Sequence, residues 1–368
     1  MRVMTVLGTR PEIIRLSRVI ELLDENSDHT LVHTGQNFDE RLSDIFFRDL
    51  GVRKPDHFLA VKAESFGGQV GQILAAIEPL LKKHSPDRLL VLGDTNSGLT
   101  AIIARRLGIP VYHMEAGNRC YDFRVPEEGN RRIIDHMSTV LMPYTNRSRE
   151  NLIREGFASD TIYVTGNPIK QVLDHYQSQI SASQVLSEYG LTSRKYFAVT
   201  MHRAENVDVE ARLRDLVEAL VRIHTEFGYP VICSLHPRTR SMASSFGIKL
   251  DHSGLIFVEP LGLFDFIQLE RSAFCLLSDS GTVQEEACIF HVPNVTIRDV
   301  TERPETIECG SNVLSGADPD AILRLVKFVT ARPATWQVPP EYLVRDVAAT
   351  VCRIVLGFSV QTDSSRHC

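Results

Sequence analysis

Residues 88–119 read Arg88-Leu-Leu-Val-Leu92, Gly93-Asp-Thr-Asn-Ser97, a helical stretch Gly98–Leu107, then Val111-Tyr-His-Met114 and Glu115-Ala-Gly-Asn-Arg119. The two runs are short and mostly apolar, as expected of strands buried on both faces. Between them apolar residues recur at helical spacing. Strand, turn, helix, strand in about 30 residues is a βαβ unit, which requires a parallel sheet.

The same rhythm extends outward in both directions. Strands are expected at Val3–Leu7, Thr30–His33, Val140–Pro143 and Ile162–Thr165, with helices at Glu12–Leu23, Arg41–Asp49, Gly68–Lys83 and Arg147–Glu155. A pause at Asn167-Pro168 and a polar, helical-looking stretch over 169–193 precede a second series. Its strands are expected at Tyr196–Thr200, Val231–Leu235, Leu255–Val258, Phe274–Leu277 and Val295–Ile297, with helices such as Val209–Phe227 and Val283–Phe290. The fold class is therefore α/β, with two doubly wound parallel sheets. One domain is expected over 1–168 and another over 169–341, with a helix at about 342–358 crossing back to the first. Residues 359–368 read as a disordered polar tail.

Bulk composition narrows the function. A chain of 368 residues is long enough for two cores, and 43% hydrophobic with 23% charged residues is ordinary for a soluble protein. A net charge of −6 leaves no basic excess for a nucleic-acid or acidic-membrane partner. The 7 cysteines are scattered without a C-x-x-C pair, which fits reduced thiols and a cytoplasmic protein. There is no leader pattern and no apolar run of about 18 residues, so no membrane span is expected. No His, Cys and carboxylate spacing reads as a metal site.

In open α/β sheets ligands bind beyond the carboxyl ends of the strands. Glu115, Glu127 and Glu128 stand there in His113–Cys120 and Val125–Arg132, with Arg119, Arg131 and Arg132. Such a mixture suits proton transfer beside an anionic substrate, although a loop of cancelling surface charges reads the same way. Asp94 is placed either to cap the following helix or to act in the cleft. Gly8-Thr-Arg10-Pro-Glu12 turns the first strand into the first helix and sets Arg10 beside free amides. It lacks the Walker and three-glycine dinucleotide patterns, so neither a P-loop ATPase nor an NAD enzyme is expected. Thr200–Asn206 sets His202 and Arg203 after a strand, for a diphosphate or simply for a helix cap. Ser278–Ala287 opens a helix with small residues that expose amides to a diphosphate, and Glu286 follows about one turn later, in reach of ribose hydroxyls. Arg303 follows another strand, with a plain salt bridge as the alternative.

Taken together and in order, GTRPE, GDTNS, HMEAG, VPEEGNRR, TMHRAEN, SDSGTVQEEA and RDVTERPE resemble the non-hydrolysing UDP-N-acetylglucosamine 2-epimerases. The resemblance covers about residues 1–358. It implies two Rossmann-like domains facing a cleft, as in GT-B glycosyltransferases, and a homodimer that binds a UDP-sugar and needs no cofactor. By motif it implies catalytic roles for Asp94, Glu115, Glu127 and His202. It implies substrate contacts from Arg10, Arg15, Arg131, His236, Ser280, Gly281, Thr282 and Arg303, a ribose contact from Glu286, and packing of Phe266 on uracil.

Three departures from the commoner family pattern stand out. Arg15 replaces lysine, EAGNRC with RVPEE replaces EAGLRT with PWPEE, and Thr34–Asp39 replaces a segment that binds a second, activating UDP-sugar. These variants are similar to the branch of UDP-N-acetyl-L-fucosamine synthases and UDP-2,3-diacetamido-glucuronate 2-epimerases. The reaction that the resemblance implies is anti elimination of UDP to a 2-acetamidoglycal and its re-addition, serving surface polysaccharide synthesis. The residues do not separate the base from the acid among the three carboxylates. A GT-B glycosyltransferase, a hydrolysing relative and a nucleotide-sugar-binding regulator are the competing readings.

Overall fold

The computed structural model describes residues 1–36, 47–63 and 65–357. The chain forms two compact units, Met1–Val172 with Val344–Cys368, and Leu173–Leu343.

The first unit carries β1 (Arg2–Leu7), β2 (Asp28–His33), β3 (His57–Phe58), β4 (Arg88–Leu92), β5 (Val111–Met114) and β6 (Val140–Met142). They form one parallel sheet in the order β3-β2-β1-β4-β5-β6. The order reverses between β1 and β4, where Val3 pairs with Arg88. Such a reversal opens a crevice at the strands' carboxyl ends. Every residue of β4 is buried, because helices cover both faces of the sheet. On one face Met4, Val6, Leu89, Val91 and Val111 pack with Ile77, Leu81, Leu99 and Ile134, each such side chain contributing roughly 1.5–3 kcal/mol on burial.

Helix Arg10–Asn26 buries Ile13, Leu16, Ile20 and Leu23, and helix Val347–Gly357 packs against it. Among the described residues three hydrogen bonds also tie that last helix into the first unit. The Arg88 guanidinium donates to the Val355 carbonyl, Ala348 N donates to Gln171 Oε1 at 2.9 Å, and Cys352 Sγ lies 3.8 Å from the Val19 carbonyl.

The second unit repeats the plan with β7 (Phe197–Met201), β8 (Val231–Leu235), β9 (Leu255–Val258), β10 (Cys275–Ser278), β11 (Asn294–Thr296) and β12 (Asn312–Leu314). Its parallel order, β12-β11-β10-β7-β8-β9, has the same reversal between its first and fourth strands. Phe197, Val199, Leu216, Leu220, Val231, Leu277 and Val295 form part of one core face. Ala198, Ile232, Leu269, Leu276, Val283 and Ala287 form part of the other. Each unit is thus a Rossmann-like doubly wound domain.

Several expectations need correction. Ile162–Thr165 is not a strand: only an isolated bridge joins Ile162 to Leu141. The strands β3 and β12, two and three residues long, were too short to show a period. Glu127–Met137 is a helix where the charges suggested a loop; its sequence EEGNRRIIDHM buries one large apolar residue, Ile134. The expected helix Gly98–Leu107 begins as a 3-10 turn, Asn96–Thr100, before Ala101–Arg106. The polar stretch 169–193 is helical as expected, in three short helices, Ile169–His175, Gln177–Ala182 and Val185–Glu188.

Residues 47–49 of the Arg41–Asp49 pattern are helical. The rest of that pattern, Asn37–Asp39 and the tail 359–368 lie outside the described residues. Cys120, Cys233, Cys275, Cys288, Cys309 and Cys352 are all free thiols. Among the described residues no helix is long and apolar enough to cross a membrane.

Candidate active site

The first unit gathers charged groups where its strand order reverses. Gly8 follows β1 in a space that no side chain could share: a Cβ there would stand 2.1 Å from Thr34 Oγ1 and 2.2 Å from Ser97 Oγ. Those two hydroxyls bond each other at 2.8 Å. Glu12 then locks the turn. It accepts from Gly8 N at 3.0 Å and Thr9 Oγ1 at 2.7 Å, and from Thr95 Oγ1 at 3.0 Å across the reversal. Burial raises its carboxyl to about 7, although the hydrogen bonds from Thr9, Gly8 and Thr95 pull the other way. Arg10, the first residue of the helix, is half-buried at the same rim.

Asp94 and Glu115 leave the neighbouring ends of β4 and β5, and an arginine holds each. Arg131 Nε and Nη2 both reach Asp94 Oδ2, at 2.9 and 2.7 Å. The Asp94 side chain keeps 25% of its surface exposed. Asn130 Nδ2 donates at 3.0 Å to the Asp94 carbonyl, fixing the loop rather than the carboxylate. The Asp94 side chain does not cap the following turn, whose cap position is Thr95.

Glu115 is held at both oxygens. Arg15 Nη1 donates to Oε2 at 3.3 Å and Asn118 Nδ2 to Oε1 at 3.1 Å, with Arg15 only 2% and Glu115 10% exposed. Its φ of +65° lies in the left-handed region, a conformation that costs an ordinary residue roughly 1–2 kcal/mol. Glu127 is half-buried at the first turn of helix Glu127–Met137, where a negative charge also complements the helix dipole.

Beneath these groups lies a buried network that sequence reading did not single out. His113 Nδ1 lies 2.8 Å from Asp135 Oδ1, and its Nε2 lies 2.8 Å from the Gly93 carbonyl. Asp135 Oδ2 accepts from Arg119 Nη2 at 2.7 Å and from Gly117 N at 3.2 Å. Burial would raise the Asp135 carboxyl, but His113 and Arg119 outweigh it and hold it below its usual range. Glu128 is buried against Cys120 N, Arg131 and Arg132. It is fully buried, whereas Glu127 is half-buried.

The second unit places His202 and Ser280 at the equivalent reversal, between β7 and β10. Asp279, fully buried, accepts from the backbone N of His202 and Arg203 at 3.0 Å each, and from Asn206 Nδ2 at 3.2 Å. His202 Nδ1 lies 3.1 Å from Asp279 Oδ1, and the His202 side chain is 40% exposed. Burial would raise Asp279, yet the His202 charge and these hydrogen bonds hold it at about 2.

Ser280 precedes helix Gly281–Phe290, and its hydroxyl lies 3.0 Å from that of Thr282. A Cβ on Gly281 would meet Glu302 Oε1 at 2.5 Å, so any other residue here would displace that carboxylate. Glu286 lies in the same helix. Phe266 packs partly buried on the core. His236 caps helix Pro237–Ser245 by accepting from Arg238 N at 3.2 Å. Arg303 is buried in an ion pair with Glu285.

Comparison with known proteins fits this arrangement. The sequence profile of UDP-N-acetylglucosamine 2-epimerases matches residues 21–355. A UDP-N-acetylglucosamine 2-epimerase from Methanocaldococcus jannaschii is 39% identical over 347 residues, which is 92% of this chain and 95% of that one. This chain belongs to the UDP-N-acetylglucosamine 2-epimerase family.

A UDP-2,3-diacetamido-2,3-dideoxy-D-glucuronate 2-epimerase of Pseudomonas aeruginosa is likewise 39% identical, over 88% of this chain and 90% of its own length. The crystal structure of the M. jannaschii UDP-GlcNAc 2-epimerase in complex with UDP-GlcNAc and UDP superposes with a TM-score of 0.92. It is 38% identical, covering 96% of this chain and 99% of that one.

Within this epimerase fold, Glu12, Asp135 and Asp279 are the residues whose weight the sequence understated. Glu12 had a signal, since Thr9-x-x-Glu12 has capping-box spacing. Asp135 had none.

Proposed function

We propose that this family member is a non-hydrolysing epimerase that interconverts UDP-GlcNAc and UDP-ManNAc. The reading is carried by Asp94 and Glu115 at adjoining strand ends, each held by its own arginine. The C2 hydrogen of an N-acetylhexosamine is a poor acid, and removing it alone would leave a costly carbanion. UDP on C1 is a good leaving group. One carboxylate takes the C2 proton while the C1–O bond breaks with its electron pair going to UDP, and the C2–H pair becomes the C1=C2 bond of a 2-acetamidoglycal. UDP then re-adds at C1 as a second group protonates C2 from the opposite face.

Asp94, Glu115 and Glu127 are the proposed proton carriers. Arg10, His202 and the amides opening helix Gly281–Phe290, with Ser280 and Thr282, stabilise the departing diphosphate. Glu286 takes the ribose hydroxyls, Phe266 supports the uracil, and His236 completes the substrate contacts. Arg15 and Arg131 act by holding Glu115 and Asp94. The protein works as a cytoplasmic homodimer that feeds surface polysaccharide synthesis.

The test is incubation with UDP-GlcNAc in deuterium oxide, followed by NMR. The expected result is UDP-ManNAc, with deuterium at C2 of both epimers and a small release of glycal and UDP. Free N-acetylmannosamine as the main product, or no exchange at C2, overturns the proposal.

A further inference from the structure

Helix Leu263–Ser272 packs against helix Gly281–Phe290, and it buries a carboxyl group that the proposed reaction does not use. Glu270 is 1% exposed. Among the described residues no N–H or O–H of another residue donates to either of its oxygens. The group that its carboxyl meets is the carboxyl of Glu286, itself 5% exposed. A charged carboxylate only accepts, so two of them share a hydrogen bond only if one keeps its proton. Like charges this close cannot both ionise.

The geometry also says which acid stays neutral. Glu270 is the more deeply buried and lies in the last turn of its helix, where the carbonyl end disfavours negative charge. We propose that Glu270 is kept as the neutral acid and donates its O–H to Glu286, a positioning residue that aims the Glu286 carboxylate at the ribose hydroxyls of a uridine nucleotide. This rests on the reading of Glu286 as the ribose acceptor given above. Burial and the adjacent Glu286 both push the Glu270 carboxyl well above its ordinary range, in the same direction.

The experiment titrates the full chain calorimetrically with UDP and with 2′,3′-dideoxy-UDP, which lacks the hydroxyls Glu286 would bind. Glu270→Gln keeps a donor without a titratable proton and is expected to bind UDP within about twofold of the parent. Glu270→Met has similar bulk and no donor; it is expected to bind UDP about tenfold more weakly. Dideoxy-UDP is expected to bind all three proteins alike, which a merely structural role for Glu270 would not give. Unchanged UDP affinity in Glu270→Met, or an equal loss in Glu270→Gln, overturns the proposal. Should Glu270→Met not fold, Glu270→Gln decides alone: a change of about tenfold or more in either direction overturns it.

Glu286→Gln separates the two layers. If it leaves the preference for UDP over dideoxy-UDP intact, the ribose reading fails and the proposal with it. If it removes that preference while Glu270→Met does not, only the proposal fails.

Discussion

Arg131 converges on a single oxygen of Asp94, with Nε at 2.9 Å and Nη2 at 2.7 Å from Oδ2. The second oxygen stays available to a ligand on a carboxylate whose orientation is fixed. A lysine cannot supply that planar fork. Arg131→Lys is expected to lower kcat by roughly ten- to a hundredfold with a smaller change in KM, read from steady-state epimerisation. A rise in KM at unchanged kcat would mean that Arg131 only binds substrate.

Glu115 is held by Arg15 and Asn118, one at each oxygen. Replacing it by glutamine keeps the shape, removes the proton acceptor and turns an amide toward one of those donors. Glu115→Gln is expected to reduce turnover at least about a hundredfold while leaving UDP affinity unchanged. Turnover within threefold of the parent, about 0.7 kcal/mol, would remove Glu115 from the chemistry.

Asp279 is expected to contribute to acid stability in the second unit. Its carboxyl is depressed from 3.8 to about 2, so its contribution is present above about 3.8 and is lost as pH falls through about 2. The shift corresponds to about 1–2 kcal/mol once solvent access to His202 is allowed for. Asp279→Asn is expected to lower stability at neutral pH by at least that amount, and the gap should close toward pH 2. Urea midpoints measured against pH for both proteins decide it, and a gap that is constant with pH contradicts the assignment.

Glu12 behaves with the opposite sign. Its folded value of about 7 lies above the ordinary 4.5. The stabilisation is full below about 4.5 and is lost as pH rises through about 7, a swing of up to about 3 kcal/mol. Glu12→Gln is expected to flatten the stability profile over that window. Parallel profiles for parent and variant would show that Glu12 does not take up a proton there.

Gly8→Ala places a methyl against the bonded hydroxyls of Thr34 and Ser97. Overpacking of this kind costs about 1–3 kcal/mol. A lowered melting temperature is expected, with activity falling alongside because the same turn carries Arg10. A melting temperature equal to the parent's would show that the turn can open to admit the methyl.

Much of the architecture was legible because β1, β4, β5, β7 and β8 are short, mostly apolar runs, and buried parallel strands leave that trace. What escaped detection had no such trace. Glu127–Met137 is helical despite a charge-dense sequence, because Ile134 reaches the core while Arg131, Glu128 and Asp135 spend their charges on buried partners. The positions of Asp94, Glu115 and His202 at strand ends followed from motif order and the expected strands. The partners that hold them, Arg131, Asn118 and Asp279, lie 37, 3 and 77 residues away. No local pattern links most such pairs, and only the fold brings them together. The same holds for Glu270, which reads in sequence as one more polar position on an amphipathic helix.

The docking of helix Val347–Gly357 onto the first unit has a consequence for biosynthesis. Leu173–Leu343 is contiguous, so the second unit can close as soon as it has left the ribosome. The first is completed later: Arg88, buried at the start of β4, gains as acceptor the carbonyl of Val355, 267 residues further along the chain. Until then the half that bears the proposed proton carriers waits with one flank bare. Nascent chains halted shortly after Leu343 should therefore be cut by protease in their opening segment while their later segment resists.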